Sequence, residues 1–540
     1  MIGLPGPLRI AAAAAAGVLT AVAFEPFALW FVAPFTVALF AALTSQVRLP
    51  MAALTGFAYG AGLWALGIEW LAVFTAPALI GVVALEACFF ALLGMASTMI
   101  QPRVALGRAA AHRGLPGWPL WLAMAWSACE FWFSRQPWGG FPWMRLGFTS
   151  VDSPYGGWLP ILGVAGVGFL IILTGTGLLW LLRRAPSRPV VAVPALVAAV
   201  AVLGVGQGLR GWAPQPPPGD ERVNVAVVQG NVFGVGVNSM GRARSMPNNH
   251  LAETTTLMAH AHAGRVPMPD LVVWPESSTD ADPTRDARTR ATVEAATEVT
   301  GLPVLVGAVM DGPGDGERQT TVLWWDPEDG IVDRYDKQDL VPFGEWIPMR
   351  DFFLPLVPML SAVGKQSVPG TEPGLLRGQL NDGRHLVIGD VLCYELAYDD
   401  TVATMFGGDP DIVVVQSNNA MYGYSGQIEQ QFAITRARAM EGRREIAVST
   451  TSGVSGLIDP RGRVLDRTEE FTAAHRVYEM HSGPVRTPAR WLAGPVSVIL
   501  MVLGLAAAVA GPVLGPRWRP VAGGEHDGSQ ASVNPETDKQ

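Results

Sequence analysis

The hydrophobic positions of this 540-residue chain follow two patterns. Up to about residue 210 they form long apolar runs broken by short polar loops; beyond it they come in short runs between polar stretches. A helix needs roughly 20 apolar residues to cross a bilayer. The long runs predict helices near Ile10–Phe24, Phe27–Thr44, Met51–Phe74, Ala78–Ile100, Trp118–Phe133, Trp158–Leu182 and Val190–Gly206, with a last one at Trp491–Ala510. The first run, alanine-rich behind Arg9, has the form of a secretory signal; six more apolar segments follow it, so it reads as an uncleaved first helix.

The proline-rich stretch Gly211–Asp220 (GWAPQPPPGD) marks a boundary. After it, Val/Ile-rich runs bounded by Gly, Pro, Asn or Asp predict strands at Val223–Gln229, Leu271–Trp274, Val304–Val309, Thr320–Trp325, His385–Leu392, Ile412–Gln416 and Ile446–Thr450. Asn249–Ala263, Asp286–Glu298 and Gln427–Arg443 carry helical patterns. Such alternation indicates α/β layering. The expected architecture is a membrane α-helical bundle of about eight transmembrane helices plus an α/β domain. Residues 1–210 hold helices one to seven, 211–488 the α/β domain, 489–512 the eighth helix, and 513–540 a polar, disordered cytoplasmic tail.

Composition sharpens this division. Charged residues make up 16% of the chain, against about 25% in soluble domains, and only sixteen of them precede residue 211. The net charge of -8 supplies no basic field for phosphates, so no nucleic-acid partner is expected. Three cysteines are too few for a disulfide scaffold. In an eight-helix arrangement Arg9, Arg48, Arg103, Arg108, Arg113, Arg183, Arg184, Arg188, Arg517 and Arg519 fall on one side, while short loops on the other offer Arg135 and Arg145. The positive-inside rule then places both termini in the cytoplasm and the α/β domain outside. Arg210 and Arg490 flank that domain against the rule, but long translocated segments weigh little in it.

Two features of the membrane part bear on chemistry. The loop Gln136–Trp143 (QPWGGFPW), with Trp132 and Trp158 nearby, is either an interfacial aromatic belt or a wall of a lipid-access cleft. Glu69, Glu86 and Glu130 are intramembrane candidates, although Glu69 and Glu130 lie near outer helix ends where a carboxylate reaches water. No chain of acidic groups crosses the spans, which argues against a proton pump.

In the α/β domain, groups of catalytic type follow buried strands. Glu276 follows Leu271–Pro275, Lys337 lies in Tyr335–Glu345, and Cys393 follows Leu386–Leu392. A nucleophilic cysteine must lose its proton to a nearby base. None of the eight histidines sits in a Cys–His signature. A carboxylate can serve as base, and a lysine ammonium can stabilise the oxyanion of acyl attack. Glu276, Lys337 and Cys393 supply those three roles. Lys337 is one of only three lysines, with Lys365 and Lys539. Cys88 and Cys129 lie in spans and read as apolar fillers. His260 and His262 lack a third ligand, so no metal site is expected, and no glycine fingerprint for a nucleotide appears.

The order Glu, Lys, Cys, set in Trp274-Pro-Glu-Ser277, Tyr335-x-Lys-x-x-Leu-Val-Pro-Phe-Gly-Glu345 and Cys393-Tyr-Glu395, resembles the nitrilase superfamily. More narrowly the chain is similar to the membrane-bound apolipoprotein N-acyltransferases, through Phe24-Glu-Pro-Phe27, Gly140-Phe-Pro-Trp143, Gln229-Gly-Asn231 and Ile458-Asp-Pro460. The resemblance implies an α-β-β-α sandwich and a two-step transfer. A membrane phospholipid would donate an acyl chain to Cys393 as a thioester. The α-amino group of an apolipoprotein's N-terminal diacylglyceryl-cysteine would then accept it, in the last step of lipoprotein maturation. It implies Glu276 as base, Lys337 as oxyanion stabiliser, and Glu345, Tyr394 and Glu395 as supporting residues; a salt bridge or cap is the plainer reading of Glu345 and Glu395. It also implies a multi-pass protein of the bacterial inner (plasma) membrane, partnered by lipid bilayer, phospholipid donor and lipoprotein acceptor. No cofactor is needed, since the donor is already an activated ester. Both substrates are lipids, so the thiol is expected at the membrane surface beneath an apolar lid that excludes water.

Departures from the family pattern leave the three central residues untouched and bear on substrate recognition. Asn418-Asn-Ala-Met421-Tyr-Gly423 stands for N-D-A-W-F-G, Gln430-Gln431 for Gln-His, Val448 and Thr451 for Arg and Asn, and Phe233 for Pro. Two other functions stay open on the residues: a membrane-tethered amidase using water as acceptor, and a transporter or sensor whose outer domain only binds ligand.

Overall fold

The apolar runs of the first 212 residues fold as helices whose starts are set by proline. The computed structural model describes residues 4–102, 114–184, 189–212, 221–232 and 245–514. Arg103, Arg108, Arg113, Arg188, Arg517, Arg519, Phe233 and the C-terminal tail lie outside the described residues. The helices are α1 Gly6–Ala21, α2 Val32–Thr44, α3 Leu49–Gly67, α4 Ala76–Ile100, α5 Trp118–Phe133, α6 Leu159–Arg184 and α7 Pro189–Gly211. Pro7, Pro50, Pro77 and Pro119 occupy the first turns of α1, α3, α4 and α5, where a missing N–H costs nothing.

Among the described residues, four segments are long and apolar enough to cross a membrane: Leu49–Gly67, Ala76–Ile100, Pro154–Arg184 and Ala489–Gly511. The helices α1 and α2 are shorter than their hydrophobic runs, because Phe24-Glu-Pro-Phe27 and the residues after it form turns. The third run breaks at Gly67, and Glu69–Val73 turns as a 3-10 helix. Glycine brings α3 close to its neighbours. A Cβ on Gly17 would lie 2.0 Å from Tyr59 O, and one on Gly56 2.0 Å from Phe90 O, the close approach that small residues allow between membrane helices. Glu69 is exposed, as expected, but Glu130 is buried and accepts the Leu146 N–H at 3.1 Å. The loop after α5 folds back over it and removes it from water.

The α/β part alternates strands and helices. Its strands are β1 Arg222–Gln229, β2 Leu271–Val273, β3 Val304–Asp311, β4 Glu317–Asp326, β5 Gly330–Asp336, β6 Gln366–Ser367, β7 Leu375–Gln379, β8 His385–Leu392, β9 Ile412–Ser417, β10 Ile446–Thr450, β11 Gly456–Ile458, β12 Val464–Arg467 and β13 Ala474–His481. One sheet runs β13-β1-β2-β3-β4-β5, with β6 beside β4; the other runs β12-β11-β10-β9-β8-β7. The centres of both are parallel (β1 with β2 and β3, β8 with β9 and β10) and their outer pairings are antiparallel, except that β6 runs parallel to β4. Val225, Val273 and Trp324 of the first sheet pack against Ile388, Leu392 and Val414 of the second. Helices α8 Ser245–His262 and α9 Ala287–Thr300 cover the far face of the first sheet through Leu257 and Val293. On the second sheet's far face lie α11 Asp399–Gly407 and α12 Gly426–Gly442. The layers are therefore α-β-β-α. A short helix, α10 Arg350–Leu356, lies apart from them, and α13 Ala489–Leu514 returns to the helical body.

The α11–α12 layer does not face water. Val402, Phe432 and Val448 belong to one continuous core with Trp64, Phe133 and Trp143 of the helical body. The arginines that run against the positive-inside rule are occupied at this seam. Arg145 donates to Asp399 at 2.7 Å with both side chains buried, Arg210 donates to the Val151 and Ser153 carbonyls at 2.8 and 2.7 Å, and Arg490 pairs with Asp409.

Candidate active site

Three loops at the ends of β2, β5 and β8 converge. After β2, Trp274 and Pro275 lead to Glu276, and Gly307 of β3 lets this segment pass. A Cβ there would lie 2.1 Å from Pro275 O and 2.7 Å from Glu276 Cα. Glu276 is 4% exposed. Its Oε1 accepts from Lys337 Nζ at 2.8 Å and its Oε2 from the Asn418 N–H at 3.0 Å.

Lys337 follows β5 and is 2% exposed, with Glu345 Oε1 as its second acceptor at 3.0 Å. Burial alone would lower its pKa, but the Glu276 and Glu345 carboxylates outweigh that and hold it well above the ordinary lysine value. The second oxygen of Glu345 accepts the Val341 N–H at 2.7 Å, closing the turn that carries it. Glu345 thus forms the salt bridge that the plainer reading expected.

Cys393 is the first residue after β8, with φ at 51°. A non-glycine residue in the left-handed region is uncommon and strained, and such strain collects at functional sites. Burial pushes its thiol up to about 12, helped by the negative charge of Glu276 and opposed by Lys337. The resting group is a thiol, and the arrangement can supply a base, Glu276, and a fixed cation, Lys337, at the moment of attack.

Glu395 is a cap and more than a cap. Its Oε2 accepts the Leu392 N–H at 2.8 Å; its Oε1 accepts from Tyr335 Oη at 2.8 Å, Gln338 N–H at 2.6 Å and Asp339 N–H at 3.3 Å. It straps the lysine loop to the cysteine turn. Burial pushes its carboxyl up to about 7, against Lys337 and the amide donors. Tyr394 points the other way: its Oη donates to the Gly140 carbonyl at 3.0 Å, and its ring stacks on Trp143 with centroids 6.2 Å apart.

An apolar cavity of about 130 Å³ opens beside Cys393, walled by Trp70, Val82, Leu85, Phe141, Trp143 and Tyr422. Gln427 and Gln431 form its polar edge. Val82 and Leu85 belong to α4, so the cavity extends from the thiol into the helical body. The aromatic loop supplies part of the wall of this cavity, with Trp143 buried against it.

Several neighbours of the site were not singled out for it by the sequence. Gln431 Oε1 lies 3.9 Å from Cys393 Sγ and accepts from Asn419 Nδ2 at 2.9 Å and Gln427 Nε2 at 2.8 Å, while its Nε2 donates to Ser417 Oγ at 2.5 Å. It showed in the sequence only as a departure from a pattern. Trp70 was hidden within a run read as membrane helix. Thr451, another departure, donates to the Glu276 carbonyl at 3.4 Å, whereas Val448 is core. Met421 sits in the turn Ala420–Tyr422 that presents Tyr422 to the cavity.

Comparison with known proteins gives two family matches. The model described as Apolipoprotein N-acyltransferase N-terminal domain matches residues 16–177, and that described as Carbon-nitrogen hydrolase matches residues 224–482. A protein of Mycolicibacterium smegmatis named apolipoprotein N-acyltransferase is 32% identical over 95% of this chain and 86% of its own length. One of the same name from Vibrio vulnificus is 27% identical over 93% and 96%. Among solved structures, an amidase from Nesterenkonia sp. aligns with 50% of this chain and 93% of its own, at 17% identity and a TM-score of 0.35.

Proposed function

This chain belongs to the apolipoprotein N-acyltransferase family, acyltransferases of lipoprotein maturation, and from that premise we propose that Cys393 carries the transferred acyl chain as a thioester. The observation that carries the proposal is a single constellation. Lys337 Nζ is held between Glu276 and Glu345 beside a strained cysteine turn, and that turn opens on an apolar cavity running into the membrane helices.

In the first step the Cys393 sulfur attacks an ester carbonyl of a membrane phospholipid while Glu276 takes the thiol proton. The oxyanion forms beside the Lys337 ammonium, which is already ionised and needs no reorganisation. Collapse breaks the bond between the carbonyl carbon and the glycerol oxygen. The leaving alkoxide recovers the proton from Glu276 and departs as lysophospholipid, leaving the thioester. In the second step the α-amino group of a diacylglyceryl-cysteine attacks the thioester carbonyl. Glu276 accepts the proton lost from nitrogen, the C–S bond breaks, and the sulfur is reprotonated as the amide leaves. Glu345 and Glu395 hold Lys337 and the cysteine turn, and Tyr394 ties that turn to the membrane loop. Holding each lipid in turn beside one fixed thiol converts two encounters into near-unimolecular steps.

The layout proposed for the chain follows from this chemistry. Residues 1–210 and 489–512 cross the inner (plasma) membrane as eight helices, 211–488 form the extracytoplasmic catalytic domain, and both termini, including the tail 513–540, are cytoplasmic. The continuous core between α12 and the helical body supports a catalytic domain seated on the membrane. The segment around α10 exposes Met349, Phe352 and Leu356. An apolar patch of this kind marks a membrane or partner contact, and Phe353 and Phe343 pack on Trp138 of the cavity loop. We assign this segment as the lid that keeps water from the thioester.

The test is direct. Purified protein supplied with phospholipid and a diacylglyceryl peptide is expected to yield the N-acylated peptide and to gain an acyl mass on Cys393. The Cys393→Ala variant is expected to do neither. Activity in that variant sinks the proposal, and release of free fatty acid with no acylated peptide favours the amidase.

A further inference from the structure

Of the two adjacent glutamines that depart from or complete the family pattern, Gln431 is accounted for at the thiol and Gln430 is not. Gln430 lies on α12, is 7% exposed, and sends its amide away from Cys393 toward the helical body. Its Oε1 accepts the indole N–H of Trp70 at 2.9 Å and that of Trp143 at 2.7 Å. Its Nε2 donates to the carbonyls of Glu25 at 3.0 Å and Gly67 at 2.9 Å. Two acceptances and two donations fill the capacity of one amide. The indoles can only donate and the carbonyls can only accept, so the orientation of the amide is fixed by its partners.

All four partners belong to the membrane body, on three separate loops: the turns after α1, the end of α3 with the turn that follows, and the aromatic loop before α6. Two of them, Trp70 and Trp143, wall the cavity beside Cys393. The rings meet edge to face at 5.9 Å; Trp143 stacks on Tyr394, and Trp70 packs edge-on against Tyr422 at 5.1 Å. Leaving a buried indole N–H without an acceptor costs free energy, and one side-chain oxygen serves both. Shifting or removing that oxygen therefore releases two cavity walls together.

We propose that Gln430 is a positioning residue of the acyl cavity: its amide fixes the Trp70 and Trp143 rings, and through them the length of acyl chain the cavity accepts, while locking α12 to the membrane body. The proposal rests on the reading of that cavity as the acyl site. It also places two functions on one helical turn, since the next residue, Gln431, reaches the thiol.

The experiment offers full-length protein a mixture of phospholipids graded in chain length and reads the acyl masses on Cys393. Discrimination between neighbouring chain lengths, roughly tenfold for a fitted apolar pocket, is expected to collapse toward unity in Gln430→Met. KM for the preferred donor should rise more than kcat falls. Gln430→Glu keeps an acceptor for both indoles and is expected to restore the profile even if the protein is less stable. Trp143→Phe keeps the stack and loses the N–H; combined with Gln430→Met it should add no further change. A wild-type chain profile in Gln430→Met, with only a smaller acylated fraction, overturns the proposal, as does full additivity in the double variant. Absence of any acyl mass on wild-type Cys393 instead sinks the reading of the site itself.

Discussion

A thiol held near pH 12 is almost wholly protonated at neutral pH, so Cys393 should be a poor nucleophile until substrate and base are in place together. Alkylation of Cys393 by iodoacetamide in the resting enzyme is expected to rise about tenfold per pH unit through the neutral and mildly alkaline range. A plateau near neutrality would show an activated thiolate and overturn this. Glu276→Gln is expected to lower acyl-enzyme formation by about 10²–10⁴-fold, and Lys337→Met by about 10²–10³-fold, both read by rapid-quench mass analysis. The positions of Glu276, Lys337 and Cys393 were legible because lysine and cysteine are scarce here, and because Glu276 and Cys393 each follow a buried strand. Gln431, Trp70 and Tyr422 were not. Amides and aromatics are common, and what these do is set by neighbours distant in sequence, such as Ser417 and Asn419 around Gln431.

At the scale of elements, the seven predicted strands are all present, and those that escaped notice are mostly sheet edges. The strands β5, β7, β12 and β13 end their sheets, and β12 (VLDR) is largely exposed. Edge strands carry charged residues that blunt further pairing, so they lack the apolar run that betrays a central strand. The helical runs were overextended for a related reason: hydrophobicity continues through the turn at Phe24–Phe27 and past Gly67, where the backbone turns to build the cavity. The spacing of β2 and β3 sets the position of Glu276, and Gly307 is where it is set. In Gly307→Ala the added Cβ would lie 2.1 Å from Pro275 O, which forces the strands apart or Glu276 aside. A displacement of about 1 Å can cost about 10²-fold in rate. Steady-state assays of Gly307→Ala are expected to show a loss of that order in kcat, with donor KM little changed. Unaltered kcat would show that this contact does not position the base.

Across the whole molecule, the seam between helical body and α/β domain is held by buried charge as well as apolar packing, and this makes stability depend on pH in two opposite ways. Burial alone would raise the Asp399 carboxyl, but Arg145 and Arg438 outweigh it and hold it well below the usual range. Its contribution is present above its unfolded value near 4 and is lost as pH falls through the lowered folded value. Glu395 has the reverse sign. Its folded value of about 7 lies above the unfolded value near 4.3, so the folded state binds the extra proton; that stabilisation is complete below the unfolded value and is lost as pH rises toward and through 7. The loss amounts to at most about 4 kcal/mol. Buried Asp390, also raised by burial, acts in the same direction. Thermal unfolding in detergent is therefore expected to show greatest stability at mildly acid pH, a fall toward pH 7 and a steeper fall in strong acid. Glu395→Gln loses the match to the Leu392 N–H and should start from a lower Tm, yet its slope between pH 5 and 7 should be shallower than wild type. Asp399→Asn should flatten the acid limb and leave the neutral slope intact. Slopes unchanged in both variants would mean that the seam and the glutamate strap do not set the pH response. Slopes exchanged between them would mean that the signs assigned to these two carboxyls are reversed.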